Sequence, residues 1–178
     1  TGVQTCALPI LGKLLIWDGC DSAAWDKLYK VKLFKGRRYP FGVLHEDLNF
    51  TSKLFSESNK IVLTGMPLYN YLIRENSICN KPFTTQKFDI YEQAKLNCQF
   101  VRDTYKELEE KAKYFLFRCT CTLLQSASDA AQISEKDLKR VKELARTQLS
   151  TAILNRFVPL GERKYYFELL YKVCIKKK

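Results

Sequence analysis

The spacing of apolar residues changes character near residue 80 of this chain, and the change divides it into two regions. Up to Ile78 the apolar runs are short and separated by turn residues. Leu11 to Trp17 suits either a strand or the end of a helix. Asp21 or Ser22 can then cap a short helix from Ala23 to Tyr29, with Trp25 and Leu28 on one face. Val31 to Phe34 is too brief to classify, and Lys35-Gly36-Arg37-Arg38 is a turn. Pro40 and Gly42 bracket Phe41 in a second turn, because proline fixes φ and glycine tolerates positive φ. Glu46 and Asp47 open a helix whose Leu48, Thr51, Leu54 and Phe55 form an inward face. After a polar loop, Ile61 to Thr64 predicts a buried strand, and Leu68 to Arg74 alternates with Tyr69, Tyr71 and Ile73 on one side.

Beyond Pro82 the period becomes helical. Phe88, Tyr91, Ala94, Cys98, Val101, Tyr105, Leu108, Ala112, Phe115, Cys119 and Leu123 recur every three or four residues, which predicts one long helix or two collinear ones. A break at Ser126 to Gln132 precedes a capped start at Ser134, with Asp137 at the third helical position and an Ile133 to Leu138 staple. That helix is expected to run to about Phe157. Pro159 and Gly161 stop it, and Glu162 to Ile175 makes the last helix.

Composition narrows the class. At 178 residues and 46% hydrophobic content, the chain is one domain or a large piece of one, with enough apolar surface for a core. Its longest apolar runs fall short of the ~20 residues that span a bilayer. Seven cysteines without a Cys-x-x-Cys pair, and a single His, indicate neither a zinc site nor a disulfide framework, which suits a reducing cytoplasm. Of the net charge of +11, residues 91–178 carry 18 Lys/Arg against 11 Asp/Glu. Such a surface attracts polyanions, including an anionic membrane face, although a charged run is more often only a solvated surface. Thr1 to Ile10 lacks a clean period and a signal-peptide pattern, and reads as a non-native leader.

The densest group of chemically capable residues lies between Tyr39 and Ile78. Asp47 is placed to act as a general base, or else only as a helix-start acid satisfying the dipole. Glu46 and Asp47 project about 100° apart, so they do not flank one bond as the paired carboxyls of a glycosidase do. Arg74 with Ser77 suits a diphosphate, or else a surface turn.

Taken together, Ala24-Trp25-Asp26-Lys27-Leu28-Tyr29, then Phe41-Gly42, Glu46-Asp47 and Phe50, then Pro67-Leu68-Tyr69-Asn70-Tyr71 and Arg74-Glu75-Asn76-Ser77-Ile78 resemble the acceptor half of bacterial family 2 glycosyltransferases. The usual forms there are Trp-Asn-Lys-Leu-Tyr, Gly-x-x-x-Glu-Asp and Tyr-x-Tyr-x-x-Arg-x-x-Ser; Asp26 stands here in place of the Asn. The resemblance covers residues 14 to 125 and implies a partial GT-A fold, an α-rich α/β fragment. Residues 11–80 would be the C-terminal part of the catalytic domain, and 81–178 a helical region. It implies a nucleotide-sugar donor, a saccharide or lipid-linked acceptor and a role in cell-surface polysaccharide synthesis. It also implies a divalent metal, Mg or Mn, held by an Asp-x-Asp motif. No Asp-x-Asp occurs in this chain. The donor-binding and metal-binding half would therefore lie upstream, and the chain by itself is expected to bind no metal and to be inactive.

On the same resemblance Asp47 is the catalytic base of an inverting displacement, with Glu46 secondary. Trp25, Lys27 and Tyr71 would bind the acceptor, while Arg74 and Ser77 would hold the diphosphate. The expected location is cytoplasmic, extending to the inner face of the membrane. Two other classes are a basic helical nucleic-acid-binding module and a scaffold domain without catalysis. Against the first, the aromatic residues of 91–178 follow the buried period and no recognition motif occurs, so nucleic acid is not an expected partner.

Overall fold

The computed structural model of the chain describes residues 3–5, 7–72 and 82–175. It is α-rich: helices α1 (Ala7–Leu14), α2 (Asp47–Ser56), α3 (Asp89–Thr104), α4 (Glu109–Asp129), α5 (Glu135–Arg146), α6 (Leu149–Leu154) and α7 (Leu160–Ile175) account for most of it. Two short strands, β1 (Val3–Thr5) and β2 (Ile61–Leu63), pair antiparallel with Gln4 opposite Val62.

The helical stripe beyond Pro82 is buried as its period requires, with Phe88, Tyr91, Ala94, Val101, Leu108, Ala112, Phe115, Cys119 and Leu123 all in the core. The stripe does not follow one axis. Tyr105 leaves helical geometry at φ −137° and ψ 78°, a 3-10 turn spans Lys106–Leu108, and α4 folds back along α3. Both helices of this hairpin turn the same apolar face inwards, so the spacing runs on unbroken through the bend. α4 is the centre of the molecule and also packs against α5, α6 and α7.

α1 and α2 pack against each other, and α2 packs against α3. Ile10, Leu11, Leu14 and Leu15 are buried in the same core as the helical region, which joins both halves of the chain. Ser134 caps α5, its hydroxyl accepting the Asp137 N–H at 3.1 Å, as the sequence predicts. That helix ends at Arg146 instead of continuing, since Thr147 and Gln148 form a bend before α6.

Two expected elements do not form. The segment from Ala23 to Tyr29 is a turn and not a helix. The Asp21 carboxylate accepts the Ala23 N–H at 2.8 Å, and the Lys27 ammonium donates to the Ala23 carbonyl at 2.6 Å. In a helix that carbonyl would bond the Lys27 backbone N–H; here the side chain has taken it. Leu68 to Leu72 forms no strand, and residues 73–81 lie outside the described part. Ile61–Leu63 is the strand expected there, but Val62 is exposed.

Candidate functional site

An open cleft of about 570 Å³ is lined by Trp25 and by the continuous segment from Tyr39 to Asp47. Aromatic rings pack against its Tyr39. The Tyr39 ring lies 4.3 Å from Phe50 on α2, and Phe34 lies 5.9 Å from Phe50 and 5.5 Å from Tyr29. These rings give a loop with little regular structure a fixed base. Gly42, at φ +75°, supplies the left-handed bend that the Pro40–Gly42 turn requires.

Three contacts hold the walls. The Leu44 N–H donates to the carboxylate of Asp89, the first residue of α3, at 2.9 Å. The Thr51 hydroxyl, fully buried on α2, donates to the Ser22 carbonyl at 2.7 Å and so fixes the start of the Trp25 turn. Lys27 closes that turn from within, its ammonium reaching Asp21 at 3.3 Å, Asp26 at 2.5 Å and the Ala23 carbonyl.

At the cleft end of α2, Glu46 is the cap residue and Asp47 the first helical residue. Glu46 makes no side-chain capping bond. Asp47 is half-buried, and its carboxyl is raised from 3.8 to about 6. Burial is the main cause and the neighbouring Glu46 the next, opposed by its own backbone N–H and by Lys27. A purely dipole-satisfying acid would be shifted the other way. Both acidic residues line the cleft, so their divergence does not turn Glu46 away from it.

His45 stands beside them with its backbone at φ +57°, and its carbonyl accepts the Leu48 N–H at 3.2 Å. Burial lowers its pKa below the usual value of 6.5, aided by Lys87 and opposed by Glu46 and Asp89. The cleft thus presents a neutral imidazole next to a carboxylate that titrates close to neutrality.

Trp25 is 47% exposed at the cleft edge. Its ring lies 4.4 Å from Tyr69 and 5.2 Å from Tyr71, tilted by 34° and 37°. The structure therefore brings Tyr71 against Trp25, and of the two it is Trp25 that lines the cleft with Glu46 and Asp47. Lys27 does not line the cleft, and its ammonium bonds Asp21, Ala23 and Asp26 within its own loop. Arg74 and Ser77 lie outside the described residues.

Among the described residues no group of three or more His, Cys, Asp or Glu is arranged to hold a metal ion. The described side chains do not fit a divalent metal. A smaller recess of about 300 Å³ lies between α4 and α7, lined by Arg118, Gln125, Glu162 and Tyr165. Arg118 stacks 4.2 Å from the Trp17 ring and lies 3.8 Å from Glu162.

Comparison with curated proteins finds a segment of 56 residues that is 39% identical to Glycosyltransferase GlyA of Streptococcus pneumoniae serotype 4. Over that segment this chain is related to a glycosyltransferase. The match takes in 32% of this chain and 8% of the relative, so the chain spans less than a tenth of that protein's length. No protein-family profile matches the chain, and no solved structure matches it.

The sequence did not point to His45 or Asp89 as parts of the site. His45 was visible as the single histidine, but no residue pattern announced its left-handed backbone. Asp89 reads only as an acid at a helix start, and its bond to Leu44 spans 45 residues.

Proposed function

We propose that this chain is the acceptor-side part of a family 2 glycosyltransferase with a GT-A catalytic domain. Residues 11–80 complete the catalytic domain and residues 81–178 form a helical appendage. The intact enzyme transfers a sugar from a nucleotide-sugar donor to a saccharide or lipid-linked acceptor in cell-surface polysaccharide synthesis. The observation that carries this reading is Asp47, a half-buried carboxyl raised to about 6, in a cleft walled by Trp25. The relationship to a glycosyltransferase over part of the chain supports it.

In this reading the acceptor ring rests on the Trp25–Tyr71 platform, where an indole and a phenol offer apolar faces to a sugar and polar edges to its hydroxyls. Asp47 takes the proton from an acceptor hydroxyl. The freed oxygen forms a bond to the anomeric carbon, and the nucleoside diphosphate leaves with the electron pair from the opposite side, which inverts the centre. A base must be ionised to act yet retain proton affinity, and a carboxyl near 6 meets both needs at neutral pH. Burial raises Asp47 to that value, and repulsion from Glu46 adds to it. Lys27 positions Trp25 through its bonds to Asp21, Ala23 and Asp26. Arg74 and Ser77 meet the charge that develops on the departing diphosphate.

The test uses a polypeptide that contains both this chain and a donor-binding half, assayed by release of nucleoside diphosphate. Asp47→Asn should lower turnover ~10²- to 10⁴-fold with little change in donor affinity, whereas Glu46→Gln should cost much less. Near-normal turnover in Asp47→Asn would overturn the assignment. On the chain alone, nucleotide sugars should not be turned over, but acceptor saccharides should perturb Trp25 fluorescence.

A further inference from the structure

α7 is apolar on two sides. Tyr166, Leu169 and Val173 are buried against the core. Nearly opposite them, at helical spacing, Leu160, Phe167, Tyr171 and Ile175 are 82%, 42%, 66% and 55% exposed. Packing of the core needs only the first stripe, so it leaves the second unexplained. The second stripe is extended at its N-terminal end. Arg163 donates to the carbonyls of Ile153, Asn155 and Val158, which ties the end of α6 to the start of α7. Ile153 and Leu154 are exposed there as well.

The charge around the stripe is net basic. Lys164 lies within it and Lys172 beside it, while Glu168 is the acid nearest to them, 3.9 Å from the Lys164 ammonium. Lys142 of α5 donates to the Cys174 carbonyl at 3.4 Å, bringing α5 alongside with Lys139 and Arg146 exposed. Residues 135–178 hold twelve Lys/Arg and five Asp/Glu, a net +7 of the chain's +11.

We infer that this face of α6 and α7 docks on an anionic lipid surface, with α7 lying in the plane of the interface. Exposed aliphatic and aromatic side chains enter the headgroup boundary, while lysines at their flanks meet lipid phosphates. A second copy of the chain is a poorer occupant, because self-association would press like charges together. Among the described residues no helix is long and apolar enough to cross a membrane, so the contact is peripheral. This inference does not depend on the transferase reading, since it uses neither Asp47 nor a sugar.

The experiment is co-sedimentation of the chain with vesicles of phosphatidylcholine alone and of phosphatidylcholine with about a third phosphatidylglycerol. Binding is expected on the anionic vesicles and not on the neutral ones. Leu160→Ser and Tyr171→Ser should each weaken it about tenfold, and Lys164→Gln or Lys172→Gln about fivefold each. All four side chains lie on the outer side of α7, so thermal unfolding should stay at the wild-type temperature and Asp47→Asn should bind vesicles normally. Equal binding to both vesicle types, or none, would overturn the inference. A concentration-dependent dimer abolished by Tyr171→Ser, without vesicle binding, would also overturn it and assign the face to a second copy.

Discussion

The Leu44 N–H and the Asp89 carboxylate meet at 2.9 Å, and that bond joins the cleft loop to the first turn of α3. It has two effects, since the same carboxylate sits at a helix start where negative charge is favoured. Asp89→Ala should therefore lower stability by about 1–2 kcal/mol, and Asp89→Asn by less because an acceptor remains. Urea denaturation gives the stability change. Amide exchange at Leu44 should accelerate in the alanine variant beyond what the global loss accounts for.

Asp47 couples acidity, stability and activity with opposite signs. Its folded-state pKa, near 6, exceeds the unfolded 3.8, so the folded chain holds its proton more tightly. The stabilising contribution is present below about 4 and is lost as pH rises to 6. At pH 7 the ionised group opposes folding, and Asp47→Asn should gain about 1 kcal/mol after allowance for solvent screening. Thermal melts at pH 4 and pH 7 check this: the two proteins should differ more at pH 7. In the proposed enzyme, rate should fall as pH drops below 6 while fold stability rises.

Thr51 is fully buried, and its hydroxyl is bonded to Ser22. Thr51→Val keeps the shape but strands a buried carbonyl, which should cost about 1–2 kcal/mol, whereas Thr51→Ser should retain most of the stability. Reversed ranking of the two variants in chemical denaturation would show packing, not the hydroxyl, to be the larger effect.

Lys27→Met removes the ammonium that takes the Ala23 carbonyl and faces Asp21 and Asp26. The apolar stem stays, so loosening should be confined to the Trp25 turn and stability should fall by about 1 kcal/mol. Trp25 emission should shift to longer wavelength, and acrylamide should quench it more readily.

Periodicity made the helical region legible because each helix buries a stripe at its own spacing, and Ser134 announced the start of α5 through its own hydroxyl. The same periodicity missed the bend at Tyr105, since a hairpin and a straight rod bury the same positions. α1 was harder to see because its face runs from Leu8 to Leu15, across the Ile10–Leu11 boundary at which a leader was set apart. The Trp25 turn was misassigned as a helix because propensity and spacing know nothing of an ammonium competing for Ala23. Within the site, the residue types of Glu46, Asp47 and Trp25 were readable, as was the helix that positions the acids. The raised carboxyl of Asp47 was not, since it follows from burial, which only the folded chain defines.

The Tyr105 bend also has a consequence for the order in which structure forms. α3 and α4 are neighbours in sequence, so their hairpin closes a loop of only a few residues and needs little chain entropy. The cleft depends on Asp89 reaching back 45 residues to Leu44 and Thr51 reaching back 29 to Ser22. The hairpin should therefore assemble first and the cleft last. On gentle warming or in low denaturant, exchange of the amides from 39 to 47 should rise while those of α4 stay protected.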